Sequence, residues 1–249
     1  MTQAQTQPLR IGVLALQGAF REHINILQAL SAQPVVPLDQ LSEAAGEWTG
    51  TSYHLDSAVP VRTTQELHAV DGLIIPGGES TTMALVAERS GLWDDLAAFT
   101  RTKPVWGTCA GMILLARSAS GTKQGGQRLL QTLNAHVQRN HFGSQLASFE
   151  ATMEAPSLSL ALGTDTPFRA VFIRAPVIQD FDPEEVQVLA RVPVPGSGTT
   201  PDTVVVAVRQ HFCLATAFHP ELTLDTRWHR YFLALVAQFK GSEPALATT

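Results

Sequence analysis

The residue types with chemical reach in this chain gather in three short stretches. In GTCAG, residues 107–111, a single thiol, Cys109, stands between two glycines, after the apolar PVW and before MILLA. A G-x-C-x-G turn from strand to helix allows the sharp, strained corner that lifts a nucleophile clear of a sheet. The helix behind it would aim free N–H groups and a partial positive charge at the sulfur, favouring the thiolate. The N–H of Ala110 could also stabilise an oxyanion. The competing reading is a buried cysteine in a strand–helix turn, because a free thiol packs as a small hydrophobe. The spacing alone leaves both open.

A nucleophilic thiol needs a base and a group to orient it. Of eight histidines, His219 has the suggestive setting, in AFHPELT after the apolar run CLATAF. His219 and Glu221 are two residues apart, so at a strand's end they can face the same side, with the carboxylate holding the imidazole in one tautomer. Pro220 between them fixes the corner. His-x-Glu is common by chance, but behind an upstream elbow the order Cys…His…Glu fits a catalytic triad.

The third stretch is IIPGGES, residues 74–80. A Gly-Gly pair between strand and helix lets backbone N–H groups approach a ligand closely, and helix N-termini attract anions. No GxxxxGK[ST] pattern exists here, so a phosphate loop does not fit. The bland reading is a turn with Ser80 as helix N-cap. The functional one is a second oxyanion donor at Gly78, with Glu79 to read an ammonium group. Arg139 and Arg174, beside β-like segments, are ordinary surface arginines or the cations that an amino-acid carboxylate requires.

Short apolar runs alternate with helical patterns and would position these groups. IGVLAL (11–16), VDGLIIP (70–76) and PVWGT (104–108) read as buried strands. Each is followed by a helical pattern: from Phe20, from Ser80 to the stop at Ser90–Gly91, and AGMILLARSA from Ala110. Strand–turn–helix three times over argues for a parallel sheet with helices on both faces. From about Leu129 the texture turns β-rich (LNAHVQ, FRAVFIRAPVI, VQVLARV, TVVVAVRQ, FCLATAF), an antiparallel extension, before a last helix at 226–239. The expectation is one domain over residues 1–249, with tails at 1–9 and 241–249 and a polar surface insertion at 43–60. The stretch Gln17–His23 is read either as part of a docking surface or as ordinary solvated helix.

Composition bounds the rest. The 249 residues can bury a sizeable core, and 45% hydrophobic with 16% charged residues suits a globular enzyme. A formal charge of −5 gives no basic footprint for nucleic acid. Two cysteines, without CxxC spacing, suggest neither a disulfide scaffold nor a zinc site, and a reducing cytoplasm is the simplest compartment. No apolar run reaches membrane-spanning length.

Taken together, IGVLALQGAFREH, DGLIIPGGESTTM, PVWGTCAGMILLA, RNHFGSQ with SFE, VFIRAP and FHPELT resemble the class I, triad-type glutamine amidotransferases. LQGAFREH, GGESTTM with FIRAP, and FHPELT are most similar to the glutaminase subunits of pyridoxal 5'-phosphate synthases. The resemblance implies a three-layer, flavodoxin-like α/β fold with a mostly parallel central sheet. It implies Cys109 as nucleophile, His219 as base, Glu221 as its orienter, and Gly78 and Ala110 at the oxyanion hole. It also implies glutamine contacts from Gly78, Glu79, Ser80, Arg139, Ile173 and Arg174, with no metal and no cofactor. The implied partner is a (β/α)8-barrel synthase subunit, which receives the ammonia and completes the oxyanion hole on docking. Two departures stand out: Ser144 where the family usually has arginine, and the insertion at 43–60. The alternatives are the glutaminase subunit of another amidotransferase, such as imidazole glycerol phosphate synthase, or a thiol hydrolase or redox sensor of the same fold.

Overall fold

The computed structural model describes residues 6–41, 51–121, 126–142, 148–155, 158, 162, 164, 166–194 and 202–242. The chain begins with β1 (Thr6–Leu14), whose last four residues are all buried, and turns through Gln17–Gly18 into α1 (Phe20–Leu30). A two-residue strand, β2 (Pro34–Val35), precedes β3 (Ser52–Val61) and α2 (Thr64–His68). The α2 N-terminus carries a capping box, in which Thr63 and Glu66 each satisfy the other's orphan backbone amide. Then come β4 (Gly72–Ile75), α3 (Ser80–Arg89), α4 (Trp93–Thr102), β5 (Val105–Thr108) and α5 (Ala110–Leu115).

The second half is mainly strands: β6 (Ala116–Ser120), β7 (Leu133–Gln138), β8 (Ser148–Met153), β9 (Phe168–Ile173), β10 (Val177–Phe181), β11 (Gln187–Pro193), β12 (Thr203–Gln210) and β13 (Cys213–Thr216). The closing helix, α6 (Arg227–Ser242), is buried from Arg227 to Ala237 except at Arg230.

Among the described residues the main sheet runs β2-β3-β1-β4-β5-β13-β12-β10-β7-β6, with β11 paired to β12; β8 and β9 form a separate antiparallel pair. The five strands β3, β1, β4, β5 and β13 are parallel neighbours. Every residue of β4, β5 and β13 is buried, so both faces of this part of the sheet are covered, as a parallel sheet requires. Beyond β13 the pairing turns antiparallel through β12, β10 and β7. The expected mostly parallel sheet with an antiparallel extension is therefore the observed one.

The strand order fixes where chemistry can occur. The chain leaves β1 for β3 on one side and returns to β4 on the other, and such a reversal opens a crevice at the strands' carboxyl ends. The turns after β1, β4, β5 and β13 all lie at that end of four adjacent strands. They carry Gln17–Gly18, Gly77–Ser80, Cys109 and His219–Glu221.

Three boundaries differ from the sequence reading. The expected insertion at 43–60 is half strand: β3 pairs with β1 from Thr6–Ser52 to Leu14–Val61, with one irregularity at Leu9/Arg10. Its polar residues mislead because β2 covers only Tyr53 and His54, so the rest of β3 is an edge that tolerates Asp56 and Pro60. Residues 43–50 lie outside the described residues. The helix expected over AGMILLARSA ends at Leu115, where Ala116 turns extended and joins β7 through β6. The expected tails are shorter, since Thr6–Leu9 belong to β1 and Gly241–Ser242 to α6.

Candidate active site

The elbow is built by two missing side chains. A Cβ on Gly107 would lie 2.5 Å from the carbonyl carbon of Gly111, and one on Gly111 would lie 2.0 Å from the Ile75 carbonyl oxygen of β4. Strand β5, helix α5 and strand β4 thus meet backbone to backbone, which only glycine permits. Between the two glycines Cys109 holds φ +48°, ψ −102°, a region that costs a side-chain-bearing residue strain and that recurs at functional sites. Its amide continues the ladder by donating to Thr216 O of β13 at 2.8 Å. The residue is 7% exposed, and its Sγ lies 3.9 Å from the Ile173 carbonyl at the end of β9. Ala110 opens α5, where first-turn amides lack intrahelical acceptors.

His219 follows β13 closely, and its amide donates to Val171 O of β9 at 2.8 Å. Its Nδ1–H donates to Glu221 Oε1 at 2.7 Å; a carboxylate only accepts, so the proton sits on Nδ1 and Nε2 is left for the thiol. Burial alone would push the imidazole down, yet hydrogen bonds and charge from Cys109 and Glu221 outweigh it and hold its pKa up at about 10. Burial likewise pushes Glu221 up, and His219 and His23 bring it below its ordinary value. Two charges so enclosed persist because they are paired.

Gly77 belongs to the same cluster. A Cβ there would meet His219 Cε1 at 2.4 Å, so the PGGES turn lies directly against the imidazole. Gly18 (φ +95°) in turn backs onto Gly77, where a Cβ would lie 1.9 Å from its carbonyl oxygen. Gly78 leaves room for Gln17, whose Oε1 accepts from the Glu79 amide at 2.7 Å.

The other end of that turn is charged. Glu79, rather than Ser80, is the N-cap of α3, its carboxylate accepting from Thr81 N at 3.3 Å and Thr82 N at 2.8 Å. Burial pushes its pKa up, and the bonds from Thr82 and Thr81 more than reverse that. Arg139 Nη2 donates to Glu79 Oε1 at 3.1 Å, so the two charges that an amino-acid zwitterion needs face each other here. Gln127 Oε1 accepts from Ser80 Oγ (2.9 Å), Thr81 Oγ1 (2.9 Å) and Arg139 Nη1 (3.1 Å). Arg174 has φ +44°, is exposed, and has no ion-pair partner among the described residues. Ser144 lies outside the described residues.

Cys109, His219, Glu221, Ala110 and Ile173 therefore form one group, and Glu79, Ser80 and Arg139 a second; Gly77 lies against His219, and Gly78, packed on Gln17 and Met83, links the two along the turn. Sequence reasoning gave no role to Gln127 or His229, and read Gln17 and His23 only as docking surface or solvated helix. His23 carried a signal: it falls on the apolar stripe of α1 with Leu27 and Leu30, and it is fully buried. That rules it out as docking surface or solvated helix. Among the described residues no group of three His, Cys, Asp or Glu is placed to hold a metal ion, and no helix is long and apolar enough to cross a membrane.

Such an arrangement can perform acyl transfer: a thiol on an elbow, an imidazole fixed in one tautomer, and amides beside both. Comparison with known proteins agrees. Residues 13–238 match the model of the SNO glutamine amidotransferase family. The chain is 45% identical over 93% of its length to a probable pyridoxal 5'-phosphate synthase subunit PDX2 of Arabidopsis thaliana, covering 88% of that protein. It is 43% identical over 93% of its length to the pyridoxal 5'-phosphate synthase subunit PdxT of Dehalococcoides mccartyi, covering all of it. A crystal structure of a glutamine amidotransferase, 38% identical, superposes over 91% of this chain and 98% of that one with a TM-score of 0.69. A putative GMP synthase protein from Thermoplasma acidophilum, 17% identical, shares the fold with a TM-score of 0.54 over 94% of this chain and 96% of its own.

Proposed function

The chain belongs to the SNO glutamine amidotransferase family, and from that premise we propose that Cys109, His219 and Glu221 hydrolyse L-glutamine to L-glutamate and ammonia. It works as the glutaminase subunit of a pyridoxal 5'-phosphate synthase, in vitamin B6 biosynthesis. The observation that carries the reading is the 2.7 Å contact of His219 with Glu221, on an imidazole whose pKa is held up by Cys109 on the strained elbow.

His219 Nε2 takes the Cys109 thiol proton as Sγ attacks the side-chain amide carbon of glutamine, and the N–H groups of Ala110 and Gly78 receive the oxyanion. His219 Nε2–H gives its proton to the departing nitrogen, releasing ammonia and leaving a γ-glutamyl thioester. The same nitrogen then takes a proton from water, which attacks the thioester; glutamate leaves and the thiol returns. Glu221 keeps Nδ1–H in place throughout. Glu79 and Arg139 take the substrate's ammonium and carboxylate, with Ser80, Ile173 and Arg174 completing the pocket. The chemistry draws on thiol, imidazole and carboxylate alone.

Ammonia passes to a (β/α)8-barrel synthase subunit, which completes the oxyanion hole on docking, so the isolated chain is nearly inactive and gains glutaminase activity when that subunit is present. Two free thiols suit the reducing cytoplasm to which we assign the protein. Cys109→Ala is expected to abolish ammonia release while leaving the complex intact by size-exclusion chromatography. Undiminished release would overturn the assignment.

A further inference from the structure

Behind the triad lies a buried pair that the proposed mechanism does not use. His23 of α1 and His229 of α6 are both 0% exposed, and His23 Nδ1 lies 2.9 Å from His229 Nε2. On its other side His23 Nε2 lies 3.4 Å from Glu221 Oε2 and 3.4 Å from the Thr108 hydroxyl. Trp106 packs in edge contact with both rings. Burial drives the pKa of each imidazole down to about 3, so both are neutral at working pH.

Two neutral rings sharing one hydrogen bond admit two proton arrangements. In one, His23 Nδ1–H donates to His229, which leaves His23 Nε2 to accept from the Thr108 hydroxyl, gives Glu221 Oε2 no donor, and strands a buried, partnerless N–H on His229 Nδ1. In the other, His229 Nε2–H donates to His23 Nδ1, and His23 Nε2–H points at Glu221 Oε2. The second puts a donor opposite an anion, and leaves only a lone pair unsatisfied at His229 Nδ1, which has no hydrogen-bond partner among the described residues. Glu221 Oε2 is itself buried and lacks an aligned hydrogen bond there, so His23 is the donor that faces it. The titratable groups around this carboxylate are His219 on its own turn, His23 on α1, and beyond them Cys109 on the elbow and His229 on α6.

We propose that His23, its tautomer fixed by His229, is a positioning residue for the glutaminase reaction: its Nε2–H faces Glu221 Oε2 and so presents Oε1 to His219. The role rests on the glutaminase reading above, although the proton arrangement does not. His23 touches no substrate; it acts through Glu221, and loosening Glu221 frees the imidazole to leave the orientation that the thiol needs.

Two measurements test this separately. In the full chain labelled with 15N-histidine, with signals assigned through His23→Gln and His229→Gln, both rings are expected to be neutral with the proton on Nε2. A proton on His23 Nδ1, or a charged His23 at pH 7, overturns the proposal whatever the activity. In the complex with the synthase subunit, His23→Leu is expected to lower kcat about tenfold with KM for glutamine unchanged, the loss of one donor facing a charged group. His23→Gln, which returns an amide donor, recovers most of it. Wild-type kcat in His23→Leu, or His23→Gln as impaired as His23→Leu, refutes the positioning role. Absence of glutaminase activity in the wild-type complex refutes the function instead, and the 15N spectrum still decides the geometry.

Discussion

The glycine at the start of α5 offers a test in which structure and propensity predict opposite signs. In an ordinary helix, Gly→Ala stabilises by about 1 kcal/mol. At Gly111 the new methyl would lie 2.0 Å from the Ile75 carbonyl oxygen and 2.8 Å from its carbon. Relief to an ordinary contact near 3.4 Å requires helix and strand to part by about 1.4 Å. Neither can retreat cheaply, because Ile75 is fully buried and Gly111 packs against Gly107 on its own side. Overpacking of this kind costs roughly 1–3 kcal/mol, and in a domain of this size each of those lowers Tm by about 2–4 °C. Cys109 lies two residues before Gly111, and a displacement of about 1 Å at a reacting group costs on the order of a hundredfold in rate. Gly111→Ala is therefore expected to melt about 2–12 °C below wild type by circular dichroism. At 25 °C, still folded and bound to the synthase subunit, it should retain on the order of one per cent of kcat. Gly91→Ala is the control: its φ of +74° strains a side chain but nothing lies within 4 Å, so it should cost about 1 kcal/mol and leave kcat unchanged. A Gly111→Ala protein as stable and as active as wild type would refute the account of the elbow.

Other outcomes follow from the charges. His219, with its pKa raised from 6.5 to about 10, contributes stability that is fully present below pH 6.5 and is lost as pH rises through 10. The unfolding free energy should decline over that window, and Glu221→Gln should bring the His219 titration, followed by NMR, to a lower midpoint. A wild-type midpoint near 6.5 would contradict the ion pair. Arg139→Gln removes the guanidinium that bonds Glu79 and Gln127, so KM for glutamine should rise about tenfold or more while kcat changes less; an unchanged KM would remove Arg139 from the binding site.

Much of the fold was legible because its signals are local. Gly72–Ile75, Val105–Thr108 and the helix at Ser80–Arg89 each declare themselves within a short window, by an apolar run or a glycine stop. Strand β3 does not. SYHLDSAVP reads as polar linker, and it is a strand only because β1 offers it a partner along its whole length, with the far side left mostly open. The end of α5 fails for the same reason, since nothing within ARSAS stops a helix; β7, in place at its side, offers the ladder that does.

The candidate site divides along the same line. Cys109 between its glycines, and His219 two residues before Glu221, are legible because sequence neighbours supply the strain, the tautomer and the corner. Gln127 lies 47 residues from Ser80 and Arg139 60 from Glu79, the groups they bond. His23 and His229, 206 residues apart, meet only because α1 and α6 pack together. A histidine on an apolar stripe reads as core until its partner is known. What sequence cannot display is the second layer: groups that touch no substrate and whose chemistry depends on which strand or helix becomes the neighbour. In this protein that layer decides which oxygen of Glu221 is free for His219, so the readable triad depends on contacts that were not readable.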